Sequence, residues 1–257
     1  MKPAILSALL LAGILTANSR TMDNLNTDTS LAPVEQLELT SEWDKVFPKS
    51  DKTDHRKVTF VNRYGITLAA DLYMPKGAEG PLPAIAVSGP FGAVKEQSSG
   101  LYAQQLAERG FLTIAFDPSF TGESGGMPRR VASPDINTED FSAAVDFLTA
   151  LPEADTDLLG ICGWGGIAIQ AAINDPRIKA TVASTMYDMT RVTANGYFDA
   201  DNSAEKRNAA REALAATRTA DYAAGKYSRP SARRRASIRK RLPRILQDPQ
   251  RLPQTLG

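Results

Sequence analysis

Apolar, β-branched and aromatic residues are frequent along two neighbouring stretches, KVTFVNR (57–63) and ITLAADLYMP (66–75), which gives both the composition of strands. That pattern predicts two strands, with Tyr64-Gly65 as the tight connection between them. Further along, the pattern changes to short, mostly apolar runs separated by stretches of helical spacing. PAIAVSG (83–89) reads as a buried parallel strand, and FLTIAFD (111–117), DLLGICG (157–163) and IKATVAST (178–185) as further strands. Between them, LYAQQLAERG (101–110) has helical spacing and stops at Gly110. Asn137 or Thr138 is positioned to cap a helix over 138–151, with Phe141, Ala144, Val145 and Leu148 on one face. GGIAIQAAIN (165–174) reads as a helix of small residues, and the Ala-, Glu- and Arg-rich stretch 203–226 as another. Strands separated by helices of this length require crossovers. The expected fold is therefore α/β, a three-layer α/β/α sandwich with a mostly parallel sheet.

The ends of the chain read differently. Lys2 precedes an apolar run from Ala4 to Ala17, about half the length needed to span a bilayer. Ala17 and Ser19 are small residues suited to a cleavage site, so residues 1–19 are expected to be a signal peptide and the protein to be exported, periplasmic or secreted, without stable membrane insertion after cleavage. Residues 20–56 read as a polar, exposed leader, and 57–228 as the folded domain. From Arg229 onward the chain has eight arginines and Lys240 against Asp248 alone, a net +8 that leaves the rest of the chain at −7. Three readings fit this Arg/Pro-rich tail, 229–257: a coding frame shifted near Arg229, a solvated extension, or a basic arm for anionic surfaces. Export argues against nucleic acid as a partner.

Composition narrows the chemistry. The 257 residues, 42% of them hydrophobic, suffice for one sizeable domain with its own core. Cys162 is the one cysteine, which excludes an internal disulfide, and His55 is the one histidine, which excludes a multi-histidine zinc site. No metal and no cofactor are expected. His55 itself reads as an exposed residue of the leader.

The stretch GICGWGGIAIQ (160–170) runs from a strand through a sharp glycine turn into a helix. Such an elbow needs small residues two positions before and two after the reactive side chain. Centring it on Cys162 puts the bulky Trp164 where a small residue is needed. Centring it on Trp164 satisfies the sterics with Cys162 and Gly166 but supplies no nucleophile. Cys162, near a helix N-terminus that lowers a thiol pKa, is the remaining candidate nucleophile.

AVSGPFGAVKEQSSGLYAQQLAERGFLTIAFDPSFTGESGG (86–126), GICGWGG (160–166) and STMYDMTRVTANGYFDA (184–200) resemble the α/β-hydrolase superfamily, and within it the dienelactone hydrolase-like and bacterial acyl-peptidase/esterase-like branch. The resemblance covers about residues 55–228. It implies a nucleophile elbow at Trp164, where many relatives carry serine, and an oxyanion hole from the backbone N–H groups of Gly165 and of the turn near Phe91. It also implies a small-molecule ester or peptide as substrate. In this superfamily the acid and then the histidine follow the nucleophile. Here Asp188, Asp199 and Asp201 follow Trp164, but no histidine does. The triad is thus incomplete, and the fold is expected to be truncated at its C-terminus. The alternative is a non-catalytic, ligand-binding member of the fold, with Trp164 either stacking a ligand or plugging the old pocket. GESGG (122–126) reads as a turn beside that pocket, and Asp117 as pocket lining or a cap for the turn at Pro118. Met186, Tyr187 and Met189 could line the pocket mouth or simply pack.

Overall fold

In a computed structural model of the chain, residues 35–151, 154–161, 163–226 and 228 are described. The expected signal peptide, the basic tail and Cys162 lie outside them. Contacts divide the chain into two units, Met1–Asp188 and Met189–Gly257.

The first unit is built on six strands: β1 (Thr53–Val61), β2 (Thr67–Pro75), β3 (Leu82–Ser88), β4 (Leu112–Phe116), β5 (Ala154–Ile161) and β6 (Thr181–Ser184). They form one sheet in the order β1-β2-β4-β3-β5-β6. β1 and β2 are an antiparallel hairpin, and β2 joins β4 antiparallel, whereas β4, β3, β5 and β6 run parallel. The crossovers carry α1 (Ser98–Ala107), α2 (Pro134–Thr149) and α3 (Gly163–Asn174).

Alternation along the central strands explains the three layers. Ala84, Ala86, Leu112, Ile114 and Phe116 point to one face and pack with Phe141, Val145 and Leu148 of α2 and with Trp164, Ala168 and Ala171 of α3. Ile85, Val87 and Ala115 point to the other and meet Ala103 and Ala107 of α1, beside Tyr73. Strands packed on both sides must be apolar at every position, which is why their sequences carry no alternation.

Three expectations need correction. First, α2 begins at Pro134, not after Asn137 or Thr138. Proline is pre-organised for a first helical position because its φ is already helical and it has no N–H to satisfy. Asn137 lies buried inside the first turn, where its side-chain oxygen accepts from the Ser133 N–H at 2.9 Å. Second, β1 starts at Thr53, four residues into what read as leader, and Lys45 and Phe47 before it are buried. Third, His55 is part of β1 and only 13% exposed at its side chain.

The second unit holds α4 (Met189–Asn195), a 3-10 turn (Tyr197–Asp199) and α5 (Ala204–Ala224). Arg191 pairs with Asp199 at 2.5 Å. Ser203 caps α5 by accepting from the Lys206 N–H at 3.1 Å, and Gly225 ends it at φ 62°. No described residue of α5 is buried.

Asp140 of α2 is a buried hub. Its carboxylate accepts from Asn62 Nδ2 (2.8 Å), Ser119 Oγ (2.7 Å), Ser119 N (2.8 Å) and Asn137 Nδ2 (3.0 Å). Burial pushes its pKa up despite these bonds. Asp140→Asn would turn an NH2 group toward donors, so a loss of about 1–3 kcal/mol in unfolding free energy is expected, read as a lower urea midpoint at unchanged m-value.

Candidate functional site at the strand ends

In an open parallel sheet the connections leaving the carboxyl ends of the strands converge and form the site. Here these are the loop after β3, the loop after β4 and the turn from β5 into α3. β5 ends at Ile161 and α3 begins at Gly163, which puts Trp164 in the helix's first turn. Trp164 is buried, 4% exposed, and its ring stacks on Phe91 with centroids 5.3 Å apart and planes 27° from parallel. Gly165, the next residue, is also buried. A Cβ at Gly166 would stand 3.0 Å from the Tyr187 carbonyl oxygen, so the position two after Trp164 is tight against backbone. The elbow thus brings together Phe91, Trp164 and Gly165. Cys162, the other candidate, lies outside the described residues.

The loop carrying Phe91 runs from Gly89 to Gln97 and has two unlike halves. Its tip is open: Phe91 is 40% exposed, and Gly92 sits at φ 85° with nothing among the described residues close to its Cβ position. Its root is fixed by Lys95, whose side chain is wholly buried. The Lys95 ammonium bonds Glu96, Asp117 (3.2 Å) and Glu123 (2.6 Å). Asp117, at the end of β4, ties this root to the next loop. Its two oxygens accept from the Lys95 N–H at 2.8 Å and the Glu123 N–H at 2.9 Å. The carboxylate lies so close to Gly122 that a Cβ there would be 2.0 Å from Oδ2. Burial outweighs these favourable contacts and pushes the Asp117 pKa up to about 6.

The ionic chain continues away from the elbow. Lys57 of β1 joins Glu123 (2.8 Å) to Asp44 (2.8 Å). Lys45 joins Asp44 (2.5 Å) to the buried Asp71 (2.9 Å), which also holds His55 Nε2 at 2.8 Å. The His55 ring packs edge-on against Trp43 and tilted against Tyr73. Burial opposes ionisation of Asp44, but its bonds to Lys45 and Lys57 outweigh it and hold the pKa down at about 2. Asp71 and Glu123 are lowered in the same way, against burial, by His55 with Lys45 and by Lys57 with Lys95 respectively. Asp44, Glu96 and Glu123 have oxygens within 4.8 Å of one another, a spacing a cation could use. The Lys57 and Lys95 ammoniums already bond these carboxylates.

The residues of this chain escaped the sequence reading, apart from Asp117 and His55. The expected exposure of His55 is overturned by its bond to a buried carboxylate. Met186 and Tyr187 are partly exposed beside the turn after β6. Among the described residues no helix is long and apolar enough to cross a membrane.

The profile of the X-Pro dipeptidyl-peptidase family (S15) matches residues 64–254. The chain is 58% identical over 231 residues to the uncharacterized protein PA2218 of Pseudomonas aeruginosa, an alignment covering 88% of this chain and 61% of that protein. The crystal structure of PA2218 superposes with a TM-score of 0.73 at 64% identity, over 75% of this chain and 61% of that one. Thiohydrolase aneE of Aspergillus aculeatus is 32% identical over 137 residues, 52% of this chain and 42% of its own. Acetyl xylan esterase 1 from Thermoanaerobacterium sp. JW/SL YS485 shares the fold, with a TM-score of 0.50 at 16% identity over 64% of this chain and 58% of that one. The chain spans about three fifths of the length of PA2218.

Two outcomes follow from the ionic chain. Lys95→Met leaves buried carboxylates without their shared counter-charge and is expected to cost about 3–5 kcal/mol of stability, measured by urea unfolding. Asp117 binds its proton more tightly folded than unfolded, so its contribution to stability falls as pH rises from 3.8 to about 6. Asp44, Asp71 and Glu123 act with the opposite sign, and their contribution is lost as pH drops below the ordinary carboxylate range. Asp117→Asn should therefore make stability rise more steeply with pH across that window than in the unsubstituted protein.

Proposed function

The chain belongs to the X-Pro dipeptidyl-peptidase (S15) family and has the α/β-hydrolase fold, and from this membership we propose a protein related to hydrolases of small-molecule esters, thioesters or peptides whose own elbow does not perform covalent catalysis. The observation that carries this reading is Trp164, buried at the elbow and stacked on Phe91. The lone pair of an indole nitrogen belongs to the ring's π system, so the side chain cannot attack a carbonyl. The one histidine of the chain sits in β1 with Nε2 on Asp71, so it is not paired with the elbow. Support for an acyl compound as the ligand class comes from aneE, a relative named as a thiohydrolase. The 40% exposure of Phe91 favours a second reading, in which the elbow binds a small molecule without cleaving it.

The test is turnover of 4-nitrophenyl acetate, a short acyl thioester and an X-Pro 4-nitroanilide by the purified chain. The expected result is release no faster than in buffer, unaffected by iodoacetamide. Trp164→Ser alone supplies a hydroxyl without a base and should stay near background. Saturable hydrolysis that disappears in Cys162→Ala would overturn the proposal.

A further inference from the structure

The loop after β3 is fixed at one end and open at the other, and this asymmetry bears on what the elbow can accept. Lys95 holds the root through three carboxylates and through its own N–H, which bonds Asp117. The Val46 N–H also clamps this root, on the Glu96 carbonyl at 3.0 Å. The tip is one turn closed by the Ala93 N–H on the Pro90 carbonyl at 2.9 Å. Its Phe91 ring lies nearly parallel to the Trp164 indole. A ring on an open tip, stacked on a buried indole, already occupies a slot of one planar ring's thickness.

We infer that this slot on Trp164 is a binding site for a planar aromatic ligand, which enters by displacing the Phe91 ring. The inference rests on the reading that the elbow binds rather than cleaves. Ser88 supplies a polar handle. β3 alternates, so Ser88 shares the face of Ala84 and Ala86, which pack in one cluster with Trp164. The Ser88 hydroxyl is wholly buried and has no partner among the described residues, so it is available to a hydrogen-bonding substituent on the ring. The ligand class is thus an aryl compound with one short polar group, such as an aryl carboxylate. The fixed root confines the change to the tip, so binding leaves the ionic chain beneath it in place.

The probe is 2-naphthoate, followed through Trp164 emission in a Trp43→Phe background so that one indole reports. Phe91→Ala removes the internal competitor and should bind the probe about two- to tenfold more tightly, the value of one aromatic pair. Phe91→Leu keeps bulk without a ring and should fall between the two. Far-UV circular dichroism checks that each variant is folded. Decahydro-2-naphthoate, similar in size but not planar, should bind more weakly than 2-naphthoate. Ser88→Ala should weaken 2-naphthoate severalfold and leave naphthalene unchanged. Absence of a gain in both Phe91 variants, equal binding of the saturated analogue, or undiminished affinity in Trp164→Leu, measured by equilibrium dialysis because that variant has lost the reporting indole, would overturn the inference. Turnover of 2-naphthyl acetate, measured separately, tests the non-catalytic reading. Turnover with the Phe91 gain intact overturns that reading alone, and loss of the gain without turnover overturns the slot alone.

Discussion

A lysine ammonium fully removed from water costs several kcal/mol unless counter-charges meet it, and Lys95 is such a group. Meeting its charge fixes a large part of the molecule. Asp117 must stand at the end of β4, Glu123 must return to it from the following loop, and Glu96 must turn inward beside it. The packing around these charges leaves no room for side chains at two glycines. A Cβ at Gly100 would be 2.3 Å from the Lys95 carbonyl oxygen, and one at Gly122 would run into the Asp117 carboxylate. Glycine at both positions follows from close approach to a charged core.

The same constraint reaches the leader. Asp44 and Lys45 extend the ionic chain to Asp71 in β2, and Phe47 packs its ring against Gly100. A polar segment that looks solvated in the sequence is therefore held against the sheet by charge. The mutual compensation of acids and lysines also shows in the opposite pKa shifts of Asp44 and Asp117. Asp44 is partly exposed and has two ammonium partners, which win over its desolvation. Asp117 is more deeply buried, and desolvation wins.

The sheet was legible because burial on both faces leaves a direct mark: PAIAVSG and FLTIAFD are apolar at nearly every position, as β3 and β4 require. The elbow turn was legible because its glycines are a local steric requirement. The start of α2 was missed because Asn137 looked like an outer cap, whereas it acts within the first turn below Pro134. Asp117 and His55 stood out in the sequence, but the pairing of the ionic chain was not legible. Lys57 and Glu123 are 66 residues apart and Lys95 and Asp117 are 22 apart, and no periodicity connects such pairs. The resemblance brings the Phe91 turn to the elbow, but the stacking of the Phe91 ring on Trp164 is hidden from periodicity, since it depends on how β3 and β5 pair.

The elbow separates two kinds of evidence that its sequence motif merges. Gly166 is tight against the Tyr187 carbonyl oxygen because the chain turns sharply there and must pass the segment after β6. That requirement holds whatever side chain stands at position 164. The glycines of the motif therefore report a turn, and they would be needed equally in a protein that cleaves its ligand and in one that only holds it. The side chain at the centre carries the chemical information. An indole there, roofed by Phe91, replaces a point of attack with a flat apolar surface. Acyl transfer requires an atom that can form a bond; stacking requires only a face and the freedom of its present cover to move aside. The open tip and anchored root of the Phe91 loop supply that freedom without disturbing the charges on which the rest of the fold depends.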